Sequence, residues 1–98
     1  MNRDEVIALL RAHEPELRQR GVRHAALFGS VARGDAKPAS DIDILIELEP
    51  DAPIDLFAYV ALTQYLEDLF PHRVDVANRD RLKPLVRPGV EAEALDAF

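Results

Sequence analysis

The chain has 98 residues and carries 18 acidic and 12 basic side chains, so its formal net charge is −6 at pH 7. This length predicts one domain spanning residues 1–98, and the 48% of hydrophobic and 31% of charged residues are typical of a globular protein. The acidic balance excludes a free-standing DNA- or RNA-binding protein, which needs a basic surface. It does not exclude nucleotide binding, because a metal ion can reverse the sign of the local charge.

The chain contains no cysteine, which excludes disulfides, thiolate zinc sites and cysteine nucleophiles. Its N-terminus is polar, and no apolar run is long enough for the core of a signal peptide or for a bilayer span. We therefore expect a cytoplasmic protein without a membrane partner.

The segment up to Gly21 predicts one or two helices. Asn2 or Asp4 can cap the first helix. Pro15 either kinks this helix or starts a second one, and Gly21 ends the helical stretch. One face of the first helix is apolar apart from a histidine and consists of Val6, Leu9, Leu10 and His13.

Two strands are predicted next. Residues 22–28 form an apolar run, residues 29–35 read as a turn leading into a short helix, and residues 41–48 alternate strictly. The apolar face of the second strand consists of Ile42, Ile44, Ile46 and Leu48. Its other face consists of Asp41, Asp43, Leu45 and Glu47.

The second half predicts a loop over 50–53 with Asp51 as a candidate cap, a helix over 55–70, a strand over 73–77 and a last helix over 88–98. The complete order is helix, strand, turn, strand, helix, strand, helix. It predicts an α/β (α+β) domain in which helices pack on a small mixed β-sheet.

The long helix is apolar on two faces. The face suited to the core consists of Leu56, Tyr59, Val60, Thr63, Leu66 and Phe70. The second face consists of Phe57, Ala61 and Tyr65. This second face either packs on the C-terminal tail around Val86, Val90, Leu95 and Phe98 or contacts another molecule.

Three aspartates are the candidate metal ligands. Asp41 and Asp43, two residues apart in a strand, project from one face with Cα atoms about 6.6–6.8 Å apart. Asp75 lies on a strand that can pair about 4.8 Å away. An isolated Asp-x-Asp pair is usually a solvated face, but three converging carboxylates favour Mg²⁺. Two such ions about 3.5–4 Å apart stabilise the attacking and leaving oxygens of an in-line phosphoryl or nucleotidyl transfer.

A candidate phosphate site precedes these acids. Gly29 and Ser30 follow a strand directly and offer backbone N–H groups and a hydroxyl, whereas taken alone they would be an ordinary turn. Arg33 can contact a phosphate through two parallel hydrogen bonds.

These residues occur in runs that resemble a known signature. Residues 27–36 (LFGSVARGDA), residues 40–46 (SDIDILI) and residues 74–76 (VDV) closely resemble the motifs of minimal nucleotidyltransferases of the DNA polymerase β superfamily. The resemblance covers essentially the whole chain, and all three acids and the Gly-Ser pair are present. It implies a polymerase β-like nucleotidyltransferase fold.

The resemblance also implies an activity, namely transfer of NMP, with AMP from ATP the favoured case, to an acceptor hydroxyl with release of pyrophosphate. Asp41 and Asp43 would bridge two Mg²⁺ ions. Asp75 would hold the catalytic Mg²⁺ and help activate the acceptor.

The resemblance assigns nucleotide contacts to four further residues. Gly29 and Ser30 would hold the triphosphate. Arg33 and Ser40 would either contact the nucleotide or orient the loop.

The acceptor is expected on another protein, because larger relatives of this family carry an extra acceptor domain that these 98 residues lack. The resemblance implies a HEPN-domain protein, with this chain as the antitoxin of a HEPN toxin. Two alternatives stay open: a non-enzymatic antitoxin that masks a HEPN ribonuclease by contact, and a nucleotidyltransferase acting on a small molecule such as an antibiotic. We expect no direct nucleic-acid binding, and homo-oligomerisation stays open.

Overall fold

The computed structural model describes residues 1–98 as five α-helices and one four-stranded sheet. The helices are α1 Arg3–Ala12, α2 Glu14–Gln19, α3 Gly29–Arg33, α4 Leu56–Asp68 and α5 Arg87–Glu93. The strands are β1 Val22–Phe28, β2 Ile42–Leu48, β3 Val74–Asn78 and β4 Leu95–Asp96. No helix is both long enough and apolar enough to cross a membrane.

The N-terminal segment forms two helices. Asn2 caps α1: its side chain accepts from the backbone N–H of Glu5 at 2.9 Å, and the Glu5 side chain accepts from the N–H of Asn2 at 3.2 Å. Pro15 lies in the first turn of α2, where a missing N–H costs nothing. Gly21 follows α2 with a φ of +98°, which confirms its predicted role in ending the helical stretch.

The sheet has the strand order β3-β2-β1-β4. The pairs β1–β2 and β1–β4 are antiparallel, whereas β2 and β3 are parallel and are joined through α4. This mixed sheet packed with helices confirms the predicted fold class. The bounds of β1 are as predicted, β2 begins one residue later than predicted, and β3 is shifted by one residue.

One face of the sheet carries the core. Ile42, Ile44 and Ile46 of β2 are buried, which confirms the predicted apolar face. They belong to a cluster with side chains from α1, α2 and α4, among them Val6, Leu10, Leu17, Leu62 and Leu66. No polar or charged residue is fully buried. The charged groups therefore lie at exposed or half-buried positions.

The helix α4 differs from its prediction in its bounds and its cap. It covers Leu56–Asp68 and is capped by Asp55, whose carboxylate accepts from the N–H of Ala58 at 2.8 Å. Asp51 is therefore not the cap. The loop continues through Ile54, so the helix can begin only after Asp55.

The predicted core face of α4 is wrong in part. Leu62 and Leu66 are buried, whereas Leu56 and Val60 are 73% and 56% exposed. Of the two alternatives for the second face, packing on the tail is wrong for Phe57, which is 84% exposed. Tyr65 instead turns toward the N-terminal helices, where its hydroxyl lies 2.8 Å from Nδ1 of His13.

The C-terminal tail is not helical to its end. After α5, the last residues form β4 and hydrogen-bond to β1. The N–H of Ala97 donates to the carbonyl of Ala25 at 2.9 Å, and the N–H of Ala25 donates to the carbonyl of Phe98 at 3.2 Å. The predicted helix over 88–98 therefore stops at Glu93, because the unpaired edge of β1 offers these residues a hydrogen-bonding partner.

Candidate active site

Two of the predicted acids lie side by side on the sheet. Asp43 in β2 is aligned with Asp75 in β3, and Phe28 at the end of β1 is aligned with Asp43 from the other side. Asp43 is half-buried and Asp75 is exposed to solvent. The predicted pairing of these two strands is confirmed, so two carboxylates meet at one end of the sheet.

The third acid lies just outside the strand. Asp41 precedes β2, and one carboxylate oxygen lies 3.9 Å from Nε of Arg73. The N–H of Ile42 donates to the carbonyl of Arg73 at 2.9 Å, which keeps the beginnings of β2 and β3 together. Asp41 therefore lies beside the Asp43–Asp75 pair. It is outside β2, whereas the sequence predicted it to be part of that strand.

The environment of Asp43 disfavours its charged form. Burial raises the pKa of Asp43, and the negative charges of Asp75 and Asp41 raise it further. The positive charge of Arg33 acts in the opposite direction. The site thus has more negative charge than its own cations balance.

These acids are suited to provide some of the ligands of a divalent cation and to leave its other coordination positions open. No group of three His, Cys, Asp or Glu side chains is arranged to hold a metal ion by itself. Mg²⁺ does not need such a cage, because it commonly takes one or two carboxylates and completes its octahedron with water and substrate phosphate. Asp43 and Asp75 supply hard oxygen ligands, and their repulsion with Asp41 is the charge imbalance that such an ion relieves.

Gly29 brings the chain into contact with Asp43. Its φ is +76°, and a Cβ atom at this position would overlap the Asp43 carboxylate. A glycine is therefore required both by the backbone conformation and by the close approach. Because α3 begins here, the backbone of Gly29 lies next to Asp43, and Ser30 is the second residue of that helix.

The other two candidate residues make contacts within the protein. The Arg33 guanidinium donates to the carboxylates of Asp35 at 3.3 Å and Glu93 at 3.1 Å, which ties α3 to α5. The Ser40 hydroxyl accepts from the N–H of Lys37 at 2.8 Å. Ser40 therefore makes a loop-orienting contact, and Arg33 acts on Asp43 through its charge.

Sequence reasoning missed two residues at this site. Arg73 lies beside Asp41 with its side chain 80% exposed, so it can turn toward a bound phosphate. Its position directly before the Val-Asp-Val run could have indicated from the sequence that it lies near the acids. Glu93 holds Arg33 from a distance of 60 positions along the chain, and no local pattern could have indicated that.

A clamp of ion pairs holds α5 over the face that carries the acids. Arg79, in a short 3₁₀ turn after β3, donates to Glu47 of β2 at 3.1 Å and to Glu91 of α5 at 2.7 Å. Glu91 also accepts from Arg87 at 2.6 Å. These contacts fix α5 beside a cleft whose walls include Leu45 and Ala26.

Three comparisons identify known proteins that this chain is similar to. A model of the nucleotidyltransferase domain matches residues 10–97. The protein adenylyltransferase MntA of Thermococcus cleftensis is 44% identical over 81 residues, covering 82% of this chain and 80% of that protein. A solved structure described as a candidate minimal nucleotidyltransferase superposes with a TM-score of 0.79 at 33% identity, covering 97% of this chain and 95% of that one.

A more distant structure has the same fold. It contains the tri-AMPylated HEPN toxin of Shewanella oneidensis in complex with an MNT antitoxin, and it matches with a TM-score of 0.64 at 20% identity over 94% of this chain and 71% of that one. The family model covers nearly the whole chain, and the Thermococcus relative shares close to half of its aligned residues. The chain therefore belongs to the nucleotidyltransferase domain family.

Proposed function

We propose that this protein is a Mg²⁺-dependent adenylyltransferase that moves AMP from ATP to a hydroxyl group of a partner protein. The observation that carries this proposal is the alignment of Asp43 with Asp75 next to the glycine turn at Gly29. The 44% identity to a protein adenylyltransferase supports AMP as the transferred group and a protein as the acceptor.

The partner that fits this proposal is a HEPN-domain protein. The Shewanella complex joins an MNT antitoxin to an AMPylated HEPN toxin, and the fold of this chain matches it. By analogy, this chain would act as the antitoxin of such a pair. Transfer of AMP to the toxin would then be the neutralising reaction.

The reaction breaks a phosphoanhydride bond of ATP and forms a phosphoester bond to the acceptor. The acceptor oxygen attacks the α-phosphorus of ATP, a new O–P bond forms, and the bond from the α-phosphorus to the bridging oxygen breaks. Pyrophosphate leaves with the electrons of that bond. Asp75 is exposed at the site and accepts the hydroxyl proton, since an approaching acceptor can reach its carboxylate from solvent.

The remaining residues position the nucleotide. The backbone N–H groups of Gly29 and Ser30 bind the triphosphate, and the glycine allows the close approach. Arg33 and Arg73 are the cations near the acids and contribute positive charge to the polyphosphate. Asp41, Asp43 and Asp75 would hold Mg²⁺, which when bound neutralises the charge that develops on the transferred phosphoryl group.

Label transfer tests this function. The purified chain is incubated with Mg²⁺, with a candidate HEPN-domain partner from the same genome, and with ATP labelled at either the α- or the γ-phosphate. We expect label on the HEPN-domain protein from the α-position only. No transfer from any of the four NTPs by the folded protein would contradict the proposal.

Two variants separate catalysis from binding. Asp43→Asn should abolish transfer, whereas Asp51→Asn removes the same charge from an exposed loop and should leave transfer intact. If Asp43→Asn still neutralised the toxin in cells as well as the wild type does, masking by contact would be the function instead.

A further inference from the structure

We propose that the acceptor protein docks on an exposed apolar surface at the beginning of α4, formed by Leu56, Phe57 and Val60 and called here the α4 surface. This inference rests on the proposed function, since it assigns the place where the acceptor is held. It adds a binding site that is separate from the acids.

The α4 surface is unusually apolar for an exposed helix. Leu56, Phe57 and Val60 are 73%, 84% and 56% exposed and lie within two turns of one helix. Monomeric proteins seldom leave large contiguous apolar groups in water unless another molecule covers them. Aromatic side chains of this kind often provide much of the binding energy of protein interfaces.

A cleft adjoins the α4 surface and can receive a side chain of the partner. It has a volume of about 480 Å³ and lies between the start of α4 and the ends of β2 and β3. Its walls include Leu48, Ile54, Leu56 and Tyr59, with Asn78 and Arg81 at the polar side. Protein interfaces are strongest where an apolar anchor fills such a pocket and is shielded from water.

The charge along α4 identifies the kind of partner. The exposed side of the helix continues from Val60 through Ala61 and Gln64 to two acidic residues, Glu67 and Asp68. Val60 and Glu67 are about 10 Å apart along the helix axis. The complementary partner therefore carries an apolar anchor and, about 10 Å further along, Lys or Arg side chains. The net charge of −6 favours such a basic partner and opposes a second copy of this chain.

The position of the α4 surface favours a macromolecular acceptor. Leu48 and Asn78, at the ends of β2 and β3, line the adjoining cleft, whereas Asp43 and Asp75 lie near the beginnings of these strands. The distance along β2 from Asp43 to Leu48 is about 17 Å. A folded protein can span this distance and present a hydroxyl to the acids, but a small acceptor cannot occupy both places. Docking at a remote surface raises the local concentration of the acceptor hydroxyl.

Binding and transfer measurements on the same candidate HEPN-domain partner test the inference. Leu56→Glu and Phe57→Glu should each raise the Kd for that protein and the KM of transfer about tenfold or more. Leu85→Glu is the matched control, because it adds the same charge at a leucine that is 97% exposed but lies outside α4. Binding of Mg²⁺ and a non-hydrolysable ATP analogue should be unchanged in all three variants.

A charge variant tests the acidic end of the surface. Glu67→Lys combined with Asp68→Lys should slow association with the HEPN-domain protein and weaken its dependence on ionic strength. Both side chains are exposed, so circular dichroism should show an unchanged fold.

The outcomes separate this inference from the proposed function. Wild-type Kd and KM in both the Leu56→Glu and Phe57→Glu variants would overturn the docking surface and leave the adenylyltransferase intact. Binding through α4 without any transfer of AMP would overturn the adenylyltransferase and leave the docking surface. Absence of wild-type binding, or a wild-type dimer that Phe57→Glu converts into a monomer in sedimentation experiments, would also overturn the inference.

Discussion

At the scale of single residues, Gly29 and Gly34 form a natural pair of controls. Both have a φ near +80°, at +76° and +80°, at the two ends of α3. They differ in their surroundings, since a Cβ on Gly29 would overlap the Asp43 carboxylate whereas a Cβ on Gly34 would have open space around it. The backbone requirement is therefore shared, and the contact with the acid belongs to Gly29 alone.

We predict that Gly29→Ala and Gly34→Ala both destabilise the fold, each by about 1–2 kcal/mol for the left-handed backbone. Gly29→Ala should lose more stability than Gly34→Ala because its new methyl group displaces Asp43. Since a displacement of about 1 Å can cost about 100-fold in rate, only Gly29→Ala should lose AMP transfer by that factor. Chemical denaturation and kcat measurements check this, and equal kcat values in the two variants would contradict it.

The sequence predicted the placement of two candidate site residues where that placement follows from strand periodicity. Asp43 and Asp75 are neighbours because both alternate with buried aliphatic residues on strands that pair in register. Asp41 shows the limit of that argument, since strand geometry stops at Ile42. The ion pair between Arg33 and Glu93 depends on where α5 packs, which local periodicity does not determine.

At the scale of elements, α5 is held mainly by charge. The helix has only seven residues and no fully buried side chain, so apolar packing contributes little to its position. Arg79 and Arg87 bind Glu91, and Arg33 binds Glu93. Hydrogen bonds from Arg87 and Arg79 lower the pKa of Glu91, and the positive charges of these two residues lower it further.

We predict that Glu91→Gln lowers the Tm at pH 7 and that this effect becomes smaller as the pH falls toward 3. The pKa of Glu91 is lower in the folded than in the unfolded chain, so its stabilising contribution is complete above the ordinary value of about 4.3. That contribution is lost as the pH falls through the lower, folded value. Thermal unfolding from pH 3 to pH 8 measures the difference, with Glu49→Gln as an exposed control. A difference that is as large at pH 3 as at pH 7 would contradict the prediction.

The elements also show why α4 was harder to predict than the strands. Apolar residues surround most of α4, so helical periodicity alone does not decide which side is buried. The tertiary contacts decide it: Leu62 and Leu66 enter the core, and Tyr65 turns to His13. The strand β4 has only two residues, which is too short for any alternation to be visible.

At the scale of the whole molecule, acidic residues lie close together in two separate regions, and their effects on stability differ. Near the beginnings of β2 and β3, the half-buried carboxylate of Asp43 lies close to two other negative charges, and their repulsion makes the metal-free protein less stable. At the end of α4 the acidic charge is exposed and costs little. The net charge of −6 therefore says less about function than the location of three of the acids.

We predict that Asp43→Asn is more stable than the wild type without ligands. It should be less stable than the wild type once Mg²⁺ and a non-hydrolysable ATP analogue are added. Without ligands, the variant removes like-charge repulsion between neighbouring strands and should gain about 0.2–1 kcal/mol, or about 1–5 °C in Tm. At ligand concentrations about 100-fold above Kd, the wild type should gain about 2.7 kcal/mol, or about 13 °C, whereas the variant should gain almost nothing. Calorimetry with and without the ligands measures both differences, and Asp51→Asn should follow the wild type. Equal ligand-induced shifts in the wild type and Asp43→Asn would mean that Asp43 does not hold the metal–nucleotide complex.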